Sequence, residues 1–139
     1  MVAKKSDPGR DRLYTISELA AELDLTPRTI RFYEEKGLIS PRRSAGNHRL
    51  YGRRERARLK LVLRGRRFGY TLEEIAEMIG PAEEPLDEVG QIERSLVYGD
   101  RTLKEIARRQ AELEELKGDI QRVKRKLLTR LQQLKRGRH

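Results

Sequence analysis

The 139-residue sequence contains no cysteine and no tryptophan, and its only histidines are His48 and His139. A chain without cysteine cannot form disulfides, thiolate metal sites or a cysteine nucleophile. Two histidines are too few for a zinc site built on imidazoles. We therefore expect no metal, no cofactor and no thiol-based switch.

Long apolar runs are also missing. No stretch of about 18 apolar residues occurs, and the first dozen residues are polar, so the sequence predicts neither a membrane span nor a signal peptide. We expect a cytoplasmic protein with no membrane partner.

Residues that build cores are scarce, since 36% of the chain is hydrophobic and 39% is charged. One compact core cannot easily account for every residue.

An enzyme is the least expected class. Adjacent acidic residues in a helix point about 100° apart, and no nucleophile with a matching base accompanies the acidic pairs Glu34-Glu35, Glu73-Glu74 and Glu114-Glu115.

The net charge of +10 is unevenly distributed. Residues 42–67 carry a net charge of +10, residues 68–116 carry −8, and residues 117–139 carry +8. Because basic groups that neutralise phosphates release condensed counterions, a concentrated basic stretch indicates a nucleic-acid partner. The alternative is a basic helix face that only meets solvent.

Two short helices are predicted near the N-terminus. Thr15 and Glu18 have the spacing of a capping box, which predicts a helix over residues 16–23. Thr26 and Pro27 predict the start of a second helix, which ends near Gly37. Two short helices joined by about three residues are typical of a helix-turn-helix.

The second helix is the candidate reader of the DNA major groove. Packing in the core is the alternative role for such a helix, and we assign Ile30 and Leu38 to that role. The residues that we expect to contact DNA from this helix are Thr26, Arg28, Thr29, Arg31 and Tyr33.

A small β-hairpin, or wing, is predicted between Leu38 and Tyr51. Pro41 ends helical geometry, and residues 45–47 have turn chemistry. Arginine and tyrosine side chains suit phosphate contact, because both present hydrogen-bond donors. The wing candidates for DNA contact are Arg42, Arg43, His48, Arg49, Tyr51 and, just beyond the hairpin, Arg53.

Two further helices are predicted over residues 53–68 and from Thr71 to Gly80. The resulting domain map begins with a flexible leader (residues 1–12) and a winged helix-turn-helix domain (residues 13–80). A linker follows (residues 81–99), and it contains a short helix over residues 87–98. A long helix (residues 100–135) and a tail (residues 136–139) complete the map. The boundary at residue 99 rests on Gly99 and Asp100, which we expect to interrupt the helix.

The long helix carries an apolar stripe with a heptad period. A lone helix would leave this stripe in water, so it must pack on another helix. A second copy of the chain is the simplest partner, and folding back on the N-terminal domain is the alternative. The expected dimerisation residues are Leu103, Ile106, Leu113, Leu116, Ile120, Val123, Leu127, Leu131 and Leu134.

The segment TIRFYEEKGLISPRRSAGNHRLY, followed by a basic helix and FGYTLEEIAEMI, resembles the MerR family of bacterial transcription regulators. The resemblance covers roughly residues 14–80. It implies a mainly α fold, with a winged helix-turn-helix domain and a long helix that forms an antiparallel coiled-coil dimer. It also implies a sequence-specific regulator that bends and untwists promoter DNA with an overlong spacer, and that engages RNA polymerase indirectly.

Metal-sensing and redox-sensing members of that family use cysteines, and drug-sensing members carry a larger effector domain, so the chain resembles the short, cysteine-free members. A small organic effector is suggested by the expected break at Gly99 and by Tyr98. Two alternatives stay open from the residues. One is a non-specific nucleic-acid-binding or chromosome-organising protein, and the other is an interaction module built on the coiled coil.

Overall fold

The computed structural model describes residues 12–138. The leader expected over residues 1–12 lies outside this range apart from Arg12, as does His139. The chain divides into two compact units between Ser95 and Leu96. Its elements in chain order are β1 (Tyr14–Thr15), α1 (Ile16–Leu23), α2 (Pro27–Glu35), β2 (Arg42–Arg43), β3 (Arg49–Tyr51), α3 (Arg53–Arg67), α4 (Leu72–Ile79) and α5 (Glu88–Arg136).

The helix-turn-helix forms where the capping signals predicted it. Thr15 Oγ1 accepts a hydrogen bond from the Glu18 amide at 3.1 Å, and Glu18 Oε1 accepts one from the Thr15 amide at 3.0 Å. Asp24 adopts the left-handed conformation after α1, and Thr26 Oγ1 then accepts from the Thr29 amide at the start of α2. These local bonds fix the start of each helix.

A glycine turn ends α2 and directs the following residues inward. Gly37 has a φ of +75°, and the Leu38 amide donates to the Tyr33 carbonyl at 3.0 Å. This is a common helix C-terminus, because glycine adopts the left-handed region without steric cost. Leu38 and Ile39 are consequently both buried.

The predicted wing is confirmed, and it belongs to a sheet of three antiparallel strands in the order β1-β3-β2. Arg42 pairs with Leu50 and Arg43 pairs with Arg49. Strand β1 was not predicted, because it has only two residues, Tyr14 and Thr15, which directly precede α1 and give no alternating pattern. Tyr14 pairs with Tyr51, which makes β3 the central strand.

Helices α3 and α4 approach closely at Gly65. This residue is buried, and a Cβ built on it would lie 2.7 Å from Ile75 Cγ1. Glycine is therefore needed for the packing of α4 on α3. The predicted capping box of Thr71 and Glu74 is present at the start of α4.

The apolar core lies entirely in the first unit. Its buried residues come from the sheet, from α1 to α4, and from the segments that follow α2 and α4: Tyr14, Leu19, Ala20, Ile30, Tyr33, Leu38, Ile39, Tyr51, Leu59, Val62, Ile75, Met78, Ile79 and Ala82. No residue of α5 is buried.

The expected helix break at Gly99 is wrong, since α5 runs without interruption from Glu88 to Arg136. One glycine costs a helix only about 1 kcal/mol relative to alanine, which is too little to break a helix of this length. Asp87 Oδ1 accepts from the Gly90 amide at 2.8 Å and starts the helix. The suggested effector site therefore loses one of its two supporting features.

Two glycine substitutions are expected to change stability in opposite directions. A Cβ at Gly99 meets no atom within 4 Å, so Gly99→Ala should raise the free energy of unfolding by about 1 kcal/mol through helix propensity. Gly65→Ala should lower it by about 1–3 kcal/mol, because the new methyl group overlaps Ile75. Urea titrations at one protein concentration measure both, and a shift of the same sign in the two variants would contradict this account.

Candidate nucleic-acid interface

Helix α2 presents two arginines to solvent near its start. Arg28 and Arg31 are exposed, and neither takes part in an ion pair within residues 12–138. Thr26 and Thr29 lie at the N-terminal end of α2, where their hydroxyl oxygens are 2.9 Å apart. The Thr26 hydroxyl is occupied in capping the helix. Arg28 and Arg31 are therefore the long side chains of α2 that can donate hydrogen bonds to a partner.

Tyr33, also expected to contact DNA, is instead part of the core, with 8% of its surface exposed. The aromatic residue that α2 does expose is Phe32, which is 43% exposed and lies beneath Lys36 Nζ at 5.5 Å. A helix places successive side chains about 100° apart, so Phe32 and Tyr33 cannot both face inward.

The wing is held in shape by bonds across its turn. The Ser44 amide donates to the His48 carbonyl at 2.9 Å, and Asn47 adopts a left-handed φ of 62°. Arg43 Nη1 also donates to the Asn47 carbonyl at 3.2 Å. Arg42, Arg43 and His48 are all exposed, as predicted for groups that meet phosphates.

Arg49 joins the wing to α2. Its Nε lies 2.8 Å from Glu34 Oε2, and both side chains are partly buried. The sequence analysis treated Arg49 as a phosphate contact and did not foresee this partner. The ion pair holds β3 against the recognition helix, so that the two candidate contact surfaces form one body.

Tyr51 does not lie where the sequence analysis expected it. Its side chain is fully buried, and its hydroxyl has no hydrogen-bond partner among the described residues. Burial and the nearby Glu34 carboxylate raise the pKa of Tyr51 from 10.0 to about 12. The structure places Tyr51 in the core, because pairing with β1 makes β3 a central strand and turns this side chain inward.

Helix α3 extends the basic surface beside the wing. Arg53 and Arg54 are exposed at its start, and together with Arg42 they line a cleft of about 1070 Å³. Arg56 binds both carboxylate oxygens of Glu22 on α1.

Not every basic residue between positions 42 and 67 therefore faces a partner. Arg49 and Arg56 are ion-paired, and Arg58 is only 4% exposed. Sequence reasoning assigned all of them to one basic surface, because their carboxylate and carbonyl partners are 15 to 34 residues away in the chain.

The nine residues expected in the dimer seam all lie on α5, and all are exposed in the single chain. Leu103 and Leu113, for example, each expose 65% of their surface. The polar side chains of the same helix form local pairs, such as Arg108 with Glu105 and Glu112. The stripe has no partner within residues 12–138.

Two other searches of the described residues bear on function. Within residues 12–138, no three His, Asp or Glu side chains come together as a possible metal site. No helix in the same range is both long enough and apolar enough to cross a membrane.

Two family profiles match most of the chain. The MerR HTH family regulatory protein profile matches residues 14–80, and the MerR DNA-binding profile matches residues 56–136. The chain belongs to the MerR family. The first profile covers both α2 and the wing, so the exposed arginines described above lie within the matched residues.

Relatives of this MerR-family chain are transcription regulators. The HTH-type transcriptional regulator ZntR of Escherichia coli is 33% identical over 112 residues, which cover 80% of this chain and 78% of that protein. The regulator CueR of Escherichia coli is 35% identical over 102 residues, covering 73% and 71%. The MerR-family chain is thus a DNA-binding transcription regulator.

Solved structures support the fold. HiNmlR, described as a MerR family regulator lacking the sensor domain and bound to promoter DNA, gives a TM-score of 0.55 at 24% identity over 75% of this chain and 77% of that one. A MerR family regulator from Listeria monocytogenes gives 0.62 at 21% identity over 88% and 94%. The comparisons offer no support for a non-specific chromosome-organising protein.

The buried hydroxyl of Tyr51 predicts a change in stability at alkaline pH. Because its pKa is higher in the folded protein, the folded chain keeps a proton between about pH 10 and pH 12 that the unfolded chain has released. Stability that is fully present below pH 10 is therefore lost as the pH rises towards 12.

The variant Tyr51→Phe lacks the titrating group. From pH 8 to pH 11, its free energy of unfolding should fall by about 1 kcal/mol less than that of the unsubstituted protein. Urea titrations at the two pH values measure this difference. The same loss in both proteins would show that the hydroxyl is not buried.

Proposed function

We propose that this chain acts as a homodimer that binds a palindromic promoter site and regulates transcription by bending and untwisting DNA with an overlong spacer. The observation that carries the proposal is the exposure of Arg28 and Arg31 on α2 beside a wing with exposed Arg42 and Arg43. The Glu34–Arg49 ion pair holds these two surfaces together. A helix and a basic hairpin in one body suit a major groove and its flanking phosphates.

Arg28 is the proposed base reader. It is the second residue of α2, and the N-terminal residues of a recognition helix are those that reach base edges. Its guanidinium can donate two parallel hydrogen bonds to a guanine. We assign Arg31, Thr26 and Thr29 to the flanking backbone or base edges.

The wing contacts are proposed to be mainly with phosphates. Arg42, Arg43, His48 and Arg53 supply donors there, while Arg49 acts by holding the wing to Glu34. Tyr33 and Tyr51 support the surface from the core beneath it.

The exposed stripe of α5 is proposed to pair with the same stripe of a second chain. Burying each leucine, isoleucine or valine side chain contributes about 1.5–3 kcal/mol, so nine such residues are a strong driving force. Charge favours an antiparallel pair. Residues 112–115 are acidic and residues 122–126 are basic, so a parallel pair would place like charges opposite each other. A two-fold dimer then presents two α2 helices to a palindrome.

The proposed distortion of the promoter has an energetic cost on the order of 1–10 kcal/mol. Phosphate contacts from the exposed groups Arg42, Arg43, His48 and Arg53 offset this cost in each subunit. RNA polymerase takes part indirectly, by recognising promoter elements that the distortion realigns. The regulator accordingly works in the cytoplasm, where the chromosome lies.

Two alanine substitutions separate base reading from phosphate contact. Arg28→Ala should reduce discrimination at one position of each half-site by about 1–3 kcal/mol. Arg43→Ala should weaken binding to all sequences about equally and reduce the salt dependence by about one phosphate contact per subunit. Binding to a duplex library at several salt concentrations measures both effects. If Arg28→Ala keeps the base preferences of the unsubstituted protein, Arg28 is not the reader.

A further inference from the structure

Arg58 is the one charged residue of the described chain that is buried, with 4% of its surface exposed. Its guanidinium donates to three main-chain carbonyls. Nε lies 2.7 Å from the Leu38 oxygen, Nη2 lies 2.6 Å from the Gly80 oxygen, and Nη1 lies 3.4 Å from the Ile79 oxygen. No carboxylate within residues 12–138 forms an ion pair with it.

Burying this charge is costly, and an apolar side chain of similar volume would fill the same space. Burial and the nearby Arg54 lower the pKa of Arg58, yet an arginine stays protonated in proteins. The compensation comes from carbonyl dipoles, including those at the C-terminal end of α4. What the arginine provides, and an apolar residue cannot, is a rigid fork that joins separate segments of the chain.

The joined segments are the end of the recognition helix and the base of α5, which we define as residues 88–95. Leu38 follows the Gly37 turn at the end of α2. The Ile79 carbonyl that accepts from Arg58 also accepts from Gln91 Nε2 on α5 at 3.3 Å, and Gln91 donates to the Leu86 carbonyl at 3.0 Å as well. The Ile79 carbonyl therefore connects Arg58, which also binds the segment after α2, to Gln91 at the base of α5.

A second set of hydrogen bonds, through Ala82, holds the segment after α4 to the Gly37 turn and to α3. The Ala82 amide donates to the Gly37 carbonyl at 3.0 Å, and Arg54 Nη2 donates to the Ala82 carbonyl at 3.1 Å. The turn that begins at Gly80 has little conformational freedom. Gly80 has a φ of +76°, and a Cβ on it would lie 2.7 Å from the Leu86 amide nitrogen.

We propose that Arg58 is a positioning residue that sets the separation of the two recognition helices in the dimer, by fixing the end of α2 to the base of α5. This inference rests on the proposed function, in which α5 carries the dimer seam. Helix α5 runs without a break from its base at Glu88 to Arg136, so the helix that Arg58 holds at its base is also the one that carries the proposed seam. A loosened link lets half-sites at other separations bind.

The test uses three variants of the full chain. Arg58→Lys keeps the charge but replaces the planar fork with a single ammonium group. Gln91→Leu removes the hydrogen bonds that α5 contributes to the same link. Gln91 is half-buried, and leucine is similar to it in size. Lys60→Gln is the matched control, because it removes an exposed charge from the same helix.

Each protein is titrated with duplexes that carry the selected half-sites at separations changed one base pair at a time. The unsubstituted protein and Lys60→Gln should share one preferred separation. Arg58→Lys and Gln91→Leu should keep the base preferences within each half-site, but lose discrimination against neighbouring separations by on the order of tenfold.

A uniform loss of affinity at every separation would indicate a structural role alone and would overturn the proposal, as would an unchanged profile in both variants. If Arg58→Lys does not unfold cooperatively, Gln91→Leu decides the result. Failure of the proposed function has a different signature. An unsubstituted protein that is monomeric, or that ignores separation, refutes the dimeric function and this inference together.

Discussion

The structure depends on packing a small apolar core in a domain that carries eleven basic residues between positions 42 and 67, most of them at its surface. Among the residues that the structure describes, that core contains fourteen hydrophobic residues, all between Tyr14 and Ala82. Like charges packed so densely repel one another, so the fold must place counter-charges or carbonyls beside some of them. Glu34, Glu22 and the carbonyls around Arg58 do this. Arginines that form no ion pair with a carboxylate of the described residues, Arg42 and Arg43 among them, remain exposed to solvent, where an anionic partner can reach them.

The same compensating contacts position the functional surface. Glu34 neutralises Arg49 and thereby holds the wing to the recognition helix. Glu22 binds Arg56 and joins α1 to α3. Arg58 satisfies carbonyls after α2 and α4 while it ties those segments together. The groups that stabilise the basic surface therefore also fix its shape.

The sequence was most informative where structure is decided within a few residues. The capping pairs at Thr15, Thr26 and Thr71 located the starts of α1, α2 and α4, because a hydroxyl and the amides it accepts from lie three residues apart. It was least informative where distant partners decide. The inward position of Tyr51 requires pairing with a strand 37 residues earlier, and the burial of Arg58 requires carbonyls at least 20 residues away. Gly99 misled us because glycine is a weak signal inside a long helix.

The central claim is that two copies of this basic surface read one palindromic site. A genome-wide footprint of the unsubstituted protein in its native cell tests it most directly. The account predicts protected sites that contain two inverted half-sites, and that overlap the spacer between promoter elements. Protection spread evenly along the chromosome, with no shared motif and no relation to promoters, would contradict it.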